Sequence, residues 1–206
     1  MSNRVAVVDY GLCNLDSVRR GVEECGGEPV LVAAGAELDH VDRIILPGVG
    51  SFAEAMRNLR DRRLDEAVDE QVRGRDIPFL GICLGMQLLA TEGLEGGHTK
   101  GLDFIDGQVR RLHPTEVDQR IPHVGWNEVH YVAENPLFEG IPDGTDFYFV
   151  HSFHLACDAS DAVAATTPYC GGFTSAVARD YIFGVQFHPE KSQRYGLQLL
   201  RNFLAL

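Results

Sequence analysis

Residue types suited to nucleophilic chemistry lie at residues 81–85, whose sequence is GICLG. This segment follows an apolar run, residues 77–80, and opens a helical pattern over residues 84–89. A cysteine between glycines at a strand-to-helix turn has the layout of a nucleophile elbow, because a tight turn tolerates no bulky neighbours. The start of a helix also favours the thiolate, the reactive form of cysteine. Cys83 is therefore a candidate nucleophile.

A second segment, residues 184–190, supplies the partners that such a nucleophile needs. Its sequence GVQFHPE places His188 two residues before Glu190. A histidine can take the thiol proton, and a carboxylate can orient the imidazole. A free cysteine is more often a buried apolar residue, and an isolated HPE is more often a turn, but each segment here is fed by a predicted strand. We predict that Cys83, His188 and Glu190 form a Cys-His-Glu triad for acyl transfer.

Acyl transfer also needs hydrogen-bond donors for the negative oxygen that develops on the substrate. The backbone N–H of Leu84, directly after the nucleophile, is one candidate. The second is the N–H of Val49 in the loop 47–51, PGVGS, which follows a predicted strand and leads into a helix. Glycines on both sides make a rotation of the Val49 peptide inexpensive. Alone this loop would be an ordinary turn, but beside a cysteine elbow we assign it to the active site.

Composition limits the class of protein. The chain has 206 residues, 45% of them hydrophobic and 23% charged, as in a soluble protein with one well-formed core. A net charge of −12 argues against a general binder of nucleic acid or of an anionic membrane. We find no apolar run of membrane-spanning length and no signal-peptide layout. Five cysteines without a C-x-x-C fit a reducing cytosol, and eight histidines form no metal pattern. We expect a cytoplasmic protein with no metal and no cofactor.

Strand and helix signals alternate in the first half of the chain. Strand signals cover residues 4–9, 30–32, 43–46 and 79–82, and helix signals cover residues 14–24, 51–59 and 64–73. This alternation predicts a parallel, doubly wound sheet. After residue 93, short strand signals predict antiparallel additions, before a last helix at about residues 193–204.

We therefore predict an α/β fold with a single domain, residues 1–206. Its open, mostly parallel sheet has helices on both faces and antiparallel additions in the C-terminal half. The two catalytic segments are about 100 residues apart, and the crevice at the carboxyl ends of the strands is where such a sheet would unite them.

Further motifs give the whole chain a resemblance to class I glutamine amidotransferases. They are DYG at residues 9–11 with Asn14, PGVG at 47–50, PHVGWN at 122–127, FVHS at 149–152 and FHPEKS at 187–192. Within that class the series most resembles the glutaminase subunits of imidazole glycerol phosphate synthases, whose loop reads PGVG where many other members carry GGP. The resemblance implies hydrolysis of L-glutamine to glutamate through a thioester on Cys83. His188 would act as base and then as acid, with Glu190 orienting it.

The resemblance also implies residues for binding the amino-acid end of glutamine. The ammonium of glutamine needs a carboxylate, and its carboxylate needs N–H donors. By the family pattern these groups come from Gly50, Gln87, Glu95, and the backbone around Ser152 and Phe153. Without the resemblance, Gln87 would be taken for an exposed helix residue and Glu95 for a solvated charge.

A separate partner is implied in the same way. In the family, ammonia passes through an internal channel to a cyclase subunit, a (βα)₈ barrel, which forms a heterodimer with the glutaminase. The cyclase combines ammonia with a phosphoribosyl-formimino carboxamide ribonucleotide, giving imidazole glycerol phosphate and aminoimidazole carboxamide ribotide. The family positions at or near this interface are Asn14, Trp126, Tyr148 and Lys191. Trp126, the only tryptophan, could instead be a core residue.

Two alternatives remain at this point. The same chemistry could serve another acceptor, in anthranilate, aminodeoxychorismate or pyridoxal phosphate synthesis, although PGVG and PHVGWN argue against it. A non-catalytic or redox-sensing α/β protein would need no histidine–carboxylate pair. The sequence departs from the family at Cys13, where glycine is usual and a positive φ would strain a cysteine, and at Phe153-His154, where two tyrosines are usual.

Overall fold

In the computed structural model, which describes residues 3–118 and 120–206, thirteen strands form two β-sheets. The strands are β1 Arg4–Val8, β2 Glu28–Val32, β3 Arg43–Gly48, β4 Phe79–Cys83, β5 Ala90–Gly93, β6 Thr99–Lys100, β7 Ile105–Arg111, β8 His123–Tyr131, β9 Thr145–His151, β10 Phe153–Cys157, β11 Val163–Thr167, β12 Phe173–Arg179 and β13 Ile182–Val185. The helices are α1 Leu15–Glu24, α2 Phe52–Asp61, α3 Leu64–Arg75, α4 Leu84–Gln87 and α5 Gln193–Ala205.

The larger sheet has nine strands in the order β2-β1-β3-β4-β13-β12-β11-β8-β9. The five strands from β2 to β13 pair in parallel, and the other four extend the sheet by antiparallel pairing. This arrangement confirms the predicted α/β class with antiparallel additions from the C-terminal half. One expectation was wrong: not all the additions join this sheet, because β10, β7, β5 and β6 form a second sheet of four strands.

Alternating side chains of the central strands are buried on both faces of the large sheet. In β1, Val5 and Val7 pack with α1 and α5, while Ala6 and Val8 pack with α2 and α3. The second sheet lies on the α2 and α3 side, where Ile105, Val109 and Leu155 join the same core. The predicted layers of helices on both faces are therefore confirmed. Among the described residues, no helix combines the length and apolar character needed to cross a membrane.

The helix starts follow local capping chemistry only in part. Ser51 precedes α2, and its side chain accepts a hydrogen bond from the Glu54 N–H at 3.4 Å, as an N-cap serine should. Asn14 occupies the corresponding place before α1, but its side chain makes no capping hydrogen bond. Asn14 therefore stands at the start of the helix predicted over residues 14–24 without capping it through its side chain. Its side chain is exposed.

The strand register brings three loops to one edge of the large sheet. Gly48 at the end of β3 is opposite Cys83 at the end of β4. Ile82 is opposite Val185 at the end of β13. Because these strands are parallel, the loop 47–51, the elbow at Cys83 and the segment that carries His188 leave the sheet side by side. The fold therefore unites the two predicted catalytic segments at the carboxyl ends of the strands, as expected.

The elbow is possible only because its glycines allow backbone segments to touch. A methyl group at Gly81 would lie 2.6 Å from the Gly85 carbonyl oxygen, and one at Gly85 would collide with the carbonyl oxygen of Leu46. Neither obstacle is a flexible side chain that could move aside. The predicted need for glycine on both sides of Cys83 is explained by these contacts.

Gly85→Ala should therefore lower the free energy of unfolding by about 3 kcal/mol, since an overpacked backbone cannot relax cheaply. Gly74 on α3 is the matched control, because a methyl group there would meet only the Glu70 side chain at 3.9 Å. Gly74→Ala should instead stabilise the protein by about 0.5–1 kcal/mol, as alanine favours helix. Urea unfolding of both variants checks this. Equal effects at the two positions would contradict the packing argument.

Candidate active site

Cys83 is held in a strained backbone conformation at the end of β4. Its φ is 54° and its ψ is −108°, a combination rarely adopted by residues other than glycine. The turn leads directly into α4, which is only one turn long and ends at Gln87, earlier than the helical pattern predicted. The Cys83 side chain is 6% exposed, and its Sγ lies 4.0 Å from the Val150 carbonyl oxygen. The elbow prediction thus agrees with the geometry.

His188 and Glu190 form a buried hydrogen-bonded pair next to this sulfur. The distance between His188 Nδ1 and Glu190 Oε1 is 2.8 Å, and the two side chains are 4% and 2% exposed. Burial would lower the pKa of His188, but its interactions with Cys83 and Glu190 outweigh burial and raise the pKa. His188 Nε2 is buried and has no hydrogen-bond partner among the described residues. This ring nitrogen is therefore free to exchange a proton with the nucleophile.

The other four cysteines lack such an environment. Burial raises the pKa of Cys13 and of Cys157 to about 11, and it also raises the pKa of Cys25 and Cys170. A raised pKa favours the protonated thiol, so these four cysteines are less reactive at neutral pH than a thiolate would be. Cys13 does not have a positive φ, so the departure from the usual glycine causes no backbone strain at that position.

The two predicted oxyanion donors, the N–H groups of Leu84 and Val49, differ in their hydrogen bonding. Leu84 is the first residue of α4, where a backbone N–H has no partner within the helix. The Val49 N–H, however, donates to the Leu12 carbonyl oxygen at 2.8 Å. The second predicted donor is thus engaged elsewhere and would have to rotate to serve a substrate. Gly50, with a φ of 101°, supplies the backbone freedom for that rotation.

The residues expected to bind glutamine lie around the same edge. Gln87 Nε2 donates to the Phe153 carbonyl oxygen at 2.8 Å, so α4 and the start of β10 meet there. Glu95 Oε2 accepts a hydrogen bond from the Phe52 N–H at 2.8 Å, which fixes this carboxylate beside the loop 47–51. The carbonyl oxygen of Ser152 accepts from the Leu112 N–H and is therefore already engaged. Gly50 is exposed in the loop itself.

The positions expected at a partner interface include an exposed apolar stripe on β8 and β9. We define the apolar stripe as Val124, Trp126, Tyr148 and Val150, which face each other in register across these strands. Trp126 is 47% exposed and Val124 57% exposed, so the alternative of a core tryptophan is wrong. The Trp126 and Tyr148 rings pack edge to face, with centroids 6.0 Å apart. Because Val150 also contacts Cys83 through its carbonyl oxygen, the stripe borders the nucleophile.

Two further positions expected at the interface, Lys191 and Asn14, lie near the stripe or the predicted triad. Lys191 Nζ stands 6.0 Å from the centre of the Tyr148 ring. The helix that follows Asn14 packs on the short helix Pro189–Lys191, since Gly21 approaches Glu190. Tyr148 is tied to the triad as well, because its carbonyl oxygen accepts a hydrogen bond from the His188 N–H at 2.9 Å.

Sequence reasoning missed a buried polar network beside the nucleophile. Gln186 Nε2 donates to Cys83 Sγ at 3.6 Å, and Gln186 Oε1 accepts from Gln87. Alternation along an extended segment places residues two apart on one face, so the position of Gln186 two residues before His188 was a usable signal. No comparable signal marks His123 and His151, because their contact depends on the register of β8 and β9.

These two histidines form a chain of hydrogen bonds with a single direction. His151 Nδ1 contacts the Phe153 carbonyl oxygen at 2.8 Å, an atom that can only accept. His123 Nδ1 therefore donates to His151 Nε2 at 3.1 Å, and the Asn127 amide donates to His123 Nε2 at 3.2 Å. Burial lowers the pKa of His123 to about 4 and of His151 to about 3. Both rings are neutral at pH 7, which this chain requires.

Comparison with known proteins agrees with this geometry. A family model for glutamine amidotransferase class-I matches residues 6–206. The chain belongs to the class I glutamine amidotransferase family. It is 48% identical over 206 residues to imidazole glycerol phosphate synthase subunit HisH of Caulobacter vibrioides, with 97% of each chain covered. It is 45% identical over 202 residues to subunit HisH 1 of that synthase from Campylobacter jejuni, with 98% of this chain and 100% of the relative covered.

Solved structures share the amidotransferase fold at lower identity. The structure of PurLQS from Thermotoga maritima superposes with a TM-score of 0.75 at 19% identity, covering 100% of this chain and 99% of that chain. The predicted family fold is therefore confirmed. Among the described residues, no group of three or more His, Cys, Asp or Glu side chains is placed to hold a metal ion.

Buried neutral histidines should make the protein sensitive to mild acid. His154 is 8% exposed, and burial lowers its pKa from 6.5 to about 4. Below pH 6.5 the unfolded chain takes up a proton that the folded chain refuses, so the stabilisation present above pH 6.5 is lost as the pH falls towards 4. Between pH 7.5 and pH 5 this residue should account for about 2 kcal/mol of lost stability.

His154→Gln should therefore reduce the difference in unfolding free energy between pH 7.5 and pH 5, measured by urea titration at both values. His98→Gln is the matched control, because that side chain is 67% exposed. An unchanged pH dependence in His154→Gln would show that His154 is not held neutral.

Proposed function

We propose that this chain hydrolyses L-glutamine to L-glutamate and ammonia as the glutaminase subunit of imidazole glycerol phosphate synthase, in histidine biosynthesis. The observation that carries this proposal is the buried His188–Glu190 pair beside a cysteine held at a positive φ. Identity of 45–48% to relatives named as HisH subunits of that synthase supports the pathway over other amidotransferase pathways. We further propose that residues 1–206 act as one domain in the cytoplasm, which suits five free cysteines.

The first half of the reaction forms the thioester. The Cys83 sulfur attacks the γ-carbonyl carbon of glutamine, and the carbonyl electron pair moves onto oxygen. When the carbon–oxygen double bond re-forms, the carbon–nitrogen bond breaks, and His188 gives its proton to the departing nitrogen, releasing ammonia. Glu190 holds the imidazole in the tautomer and orientation for this transfer.

In the second half of the reaction the protons move in the opposite direction. His188 takes a proton from water, whose oxygen attacks the thioester carbon. The carbon–sulfur bond then breaks, glutamate leaves, and the sulfur returns as a thiolate beside a protonated imidazole. The raised pKa of His188 favours this end state. Both tetrahedral intermediates carry a negative oxygen, which the N–H groups of Leu84 and Val49 stabilise once the Val49 peptide has rotated.

The proposed substrate contacts follow from chemistry and proximity. Glu95 would receive the substrate ammonium. Both hydrogens of the Gln87 amide are engaged, so its oxygen is the atom left to accept from that ammonium. Gly50 and the backbone N–H groups near Ser152 and Phe153 would bind the substrate carboxylate.

Ammonia is a product of the proposed reaction, and a partner that consumes it would complete the synthesis named for the relatives. We propose a heterodimer with the cyclase subunit, a (βα)₈ barrel, and passage of ammonia to it through an internal channel. The apolar stripe with Lys191 and Asn14 would form the interface. Val150 contacts the nucleophile and Tyr148 contacts the His188 backbone, so a partner seated on the stripe could act on the site through two short connections.

Binding of the cyclase with its nucleotide should raise glutaminase activity by about a hundredfold, the value of one oxyanion donor. The physical reason is that the Val49 N–H is bonded to the Leu12 carbonyl oxygen in this chain alone. Steady-state kcat/KM for glutamine should be measured for the chain alone, with the cyclase, and with cyclase plus nucleotide substrate.

Cys83→Ala in the full complex is the control and should release no glutamate. Residual hydrolysis in that variant would overturn the proposed nucleophile. Equal kcat/KM in all three states of the parent protein would leave the glutaminase intact and overturn the switch at Val49.

A further inference from the structure

The side-chain amide of Gln186 lies between the nucleophile and a proposed substrate-binding residue. Gln186 is fully buried, and its Nε2 donates to Cys83 Sγ at 3.6 Å. Its Oε1 accepts a hydrogen bond from Gln87 Nε2 at 3.0 Å. Its backbone N–H donates to the Ser175 carbonyl oxygen at 2.9 Å, which extends the pairing of β13 with β12. Both ends of this side chain and its backbone are therefore held.

The orientation of the amide follows from an acceptor that cannot change its role. The Phe153 carbonyl oxygen can only accept, so Gln87 must present its NH₂ group at 2.8 Å. The second hydrogen of that group then points to Gln186, which must meet it with oxygen. Gln186 has only its own NH₂ group left for the sulfur.

The same carbonyl oxygen is held from another side. His151 Nδ1 contacts it at 2.8 Å, and the His123 and Asn127 side chains continue that chain to β8. Each link is buried or partly buried, where an unpaired polar group would be costly. These hydrogen bonds together fix the orientation of the Gln186 side chain, with its NH₂ group toward the sulfur.

We propose that Gln186 is a positioning residue for Cys83, whose NH₂ group fixes the sulfur and stabilises its negative charge. That charge is present before attack on the substrate and again when the thioester breaks. Hydrogen bonds to an anion favour the charged form and are stronger than neutral ones. The inference rests on the proposed thioester chemistry and gives the sulfur a second hydrogen-bond donor, besides the imidazole of His188.

The decisive experiment measures the rate at which iodoacetamide alkylates Cys83, resolved from the other cysteines by peptide mass spectrometry. Gln186→Leu should slow this rate by about tenfold to a hundredfold at neutral pH, the value of a hydrogen bond to a charged group. Gln71→Leu is the matched control, since Gln71 is also buried, at 5% exposure, but lies on α3 away from the sulfur. Cys83 in Gln71→Leu should be alkylated at the same rate as Cys83 in the parent chain.

The direction of the effect separates positioning from structural damage. Cys83 is 6% exposed, so a loosened fold would expose the sulfur and speed its alkylation. An unchanged or faster rate in folded Gln186→Leu would overturn the proposal. Alkylation needs neither glutamine nor a partner, so this result leaves the proposed glutaminase activity to be judged by its own assay.

A second measurement avoids any substitution at Gln186. In a chain labelled with ¹⁵N at the glutamine side chains, the NH₂ signal of Gln186 should shift when Cys83 is replaced by alanine, while the Gln71 signal should not. Cys83→Ala removes the acceptor with little change of volume. Absence of a shift at Gln186 would overturn the proposed contact even if Gln186→Leu failed to fold.

Discussion

The backbone turn at Cys83 is the constraint on which the site depends. A positive φ at a non-glycine residue costs about 1–3 kcal/mol, and here it is maintained because Gly81, Gly85 and Leu46 pack backbone against backbone. That contact holds Cys83 at the edge where β3, β4 and β13 end together. The loop 47–51 and the segment that carries His188 and Glu190 lie beside the Cys83 elbow because they follow β3 and β13.

The groups proposed for proton transfer are in place in the isolated chain, but one of the two proposed oxyanion donors is not. The acid–base half is assembled and buried, with His188 and Glu190 at 2.8 Å and the His188 backbone tied to Tyr148. The electrostatic half lacks one donor, because the Val49 N–H is committed to Leu12. A glutaminase that works alone would gain nothing from this division. A subunit that must release ammonia only when its partner is bound would benefit from it, because rotation of one peptide is a small structural change with a large effect on the reaction rate.

Tyr148 and Val150 connect the exposed apolar stripe to the predicted catalytic residues. Both belong to the exposed apolar stripe, yet their backbone oxygens contact His188 and Cys83 respectively. A partner that covers the stripe therefore acts on the same strand that supports the triad. Val49 is further from the stripe, in the loop at the end of β3, so an effect of partner binding on Val49 would have to pass through the residues around Cys83.

The sequence predicted what depends on local chemistry. The sequence indicated Cys83, His188 and Glu190 as a candidate triad because each lies just after a strand signal and carries a reactive group, and the structure brings the three together. The parallel half of the sheet followed from the alternation of strands and helices. Contacts set by register could not be predicted: His123 meets His151 only through the pairing of β8 with β9. Residues 88–89 belong to the predicted helical pattern, but α4 ends at Gln87 and the chain enters β5, which pairs with β7. A tertiary contact overrides the local preference there.

The hydrogen-bond partner of Val49, in the loop 47–51, could not be predicted from the sequence either. The sequence PGVG indicates a peptide able to rotate, but only the structure shows which acceptor holds it. Leu12 lies in the loop before α1, two residues before Asn14, which the family resemblance places at or near the partner interface. A backbone acceptor carries no side-chain signal, so its identity could not be predicted.

The central claim is that the Val49 N–H is withheld from the site until the partner binds. Hydrogen exchange at the Val49 amide, followed by NMR in ¹⁵N-labelled chain, tests it most directly. The account predicts slow exchange in the isolated chain, because this N–H is bonded to Leu12, and a changed exchange rate and chemical shift when cyclase and nucleotide are added. Fast exchange in the isolated chain, or an identical signal in both states, would contradict it.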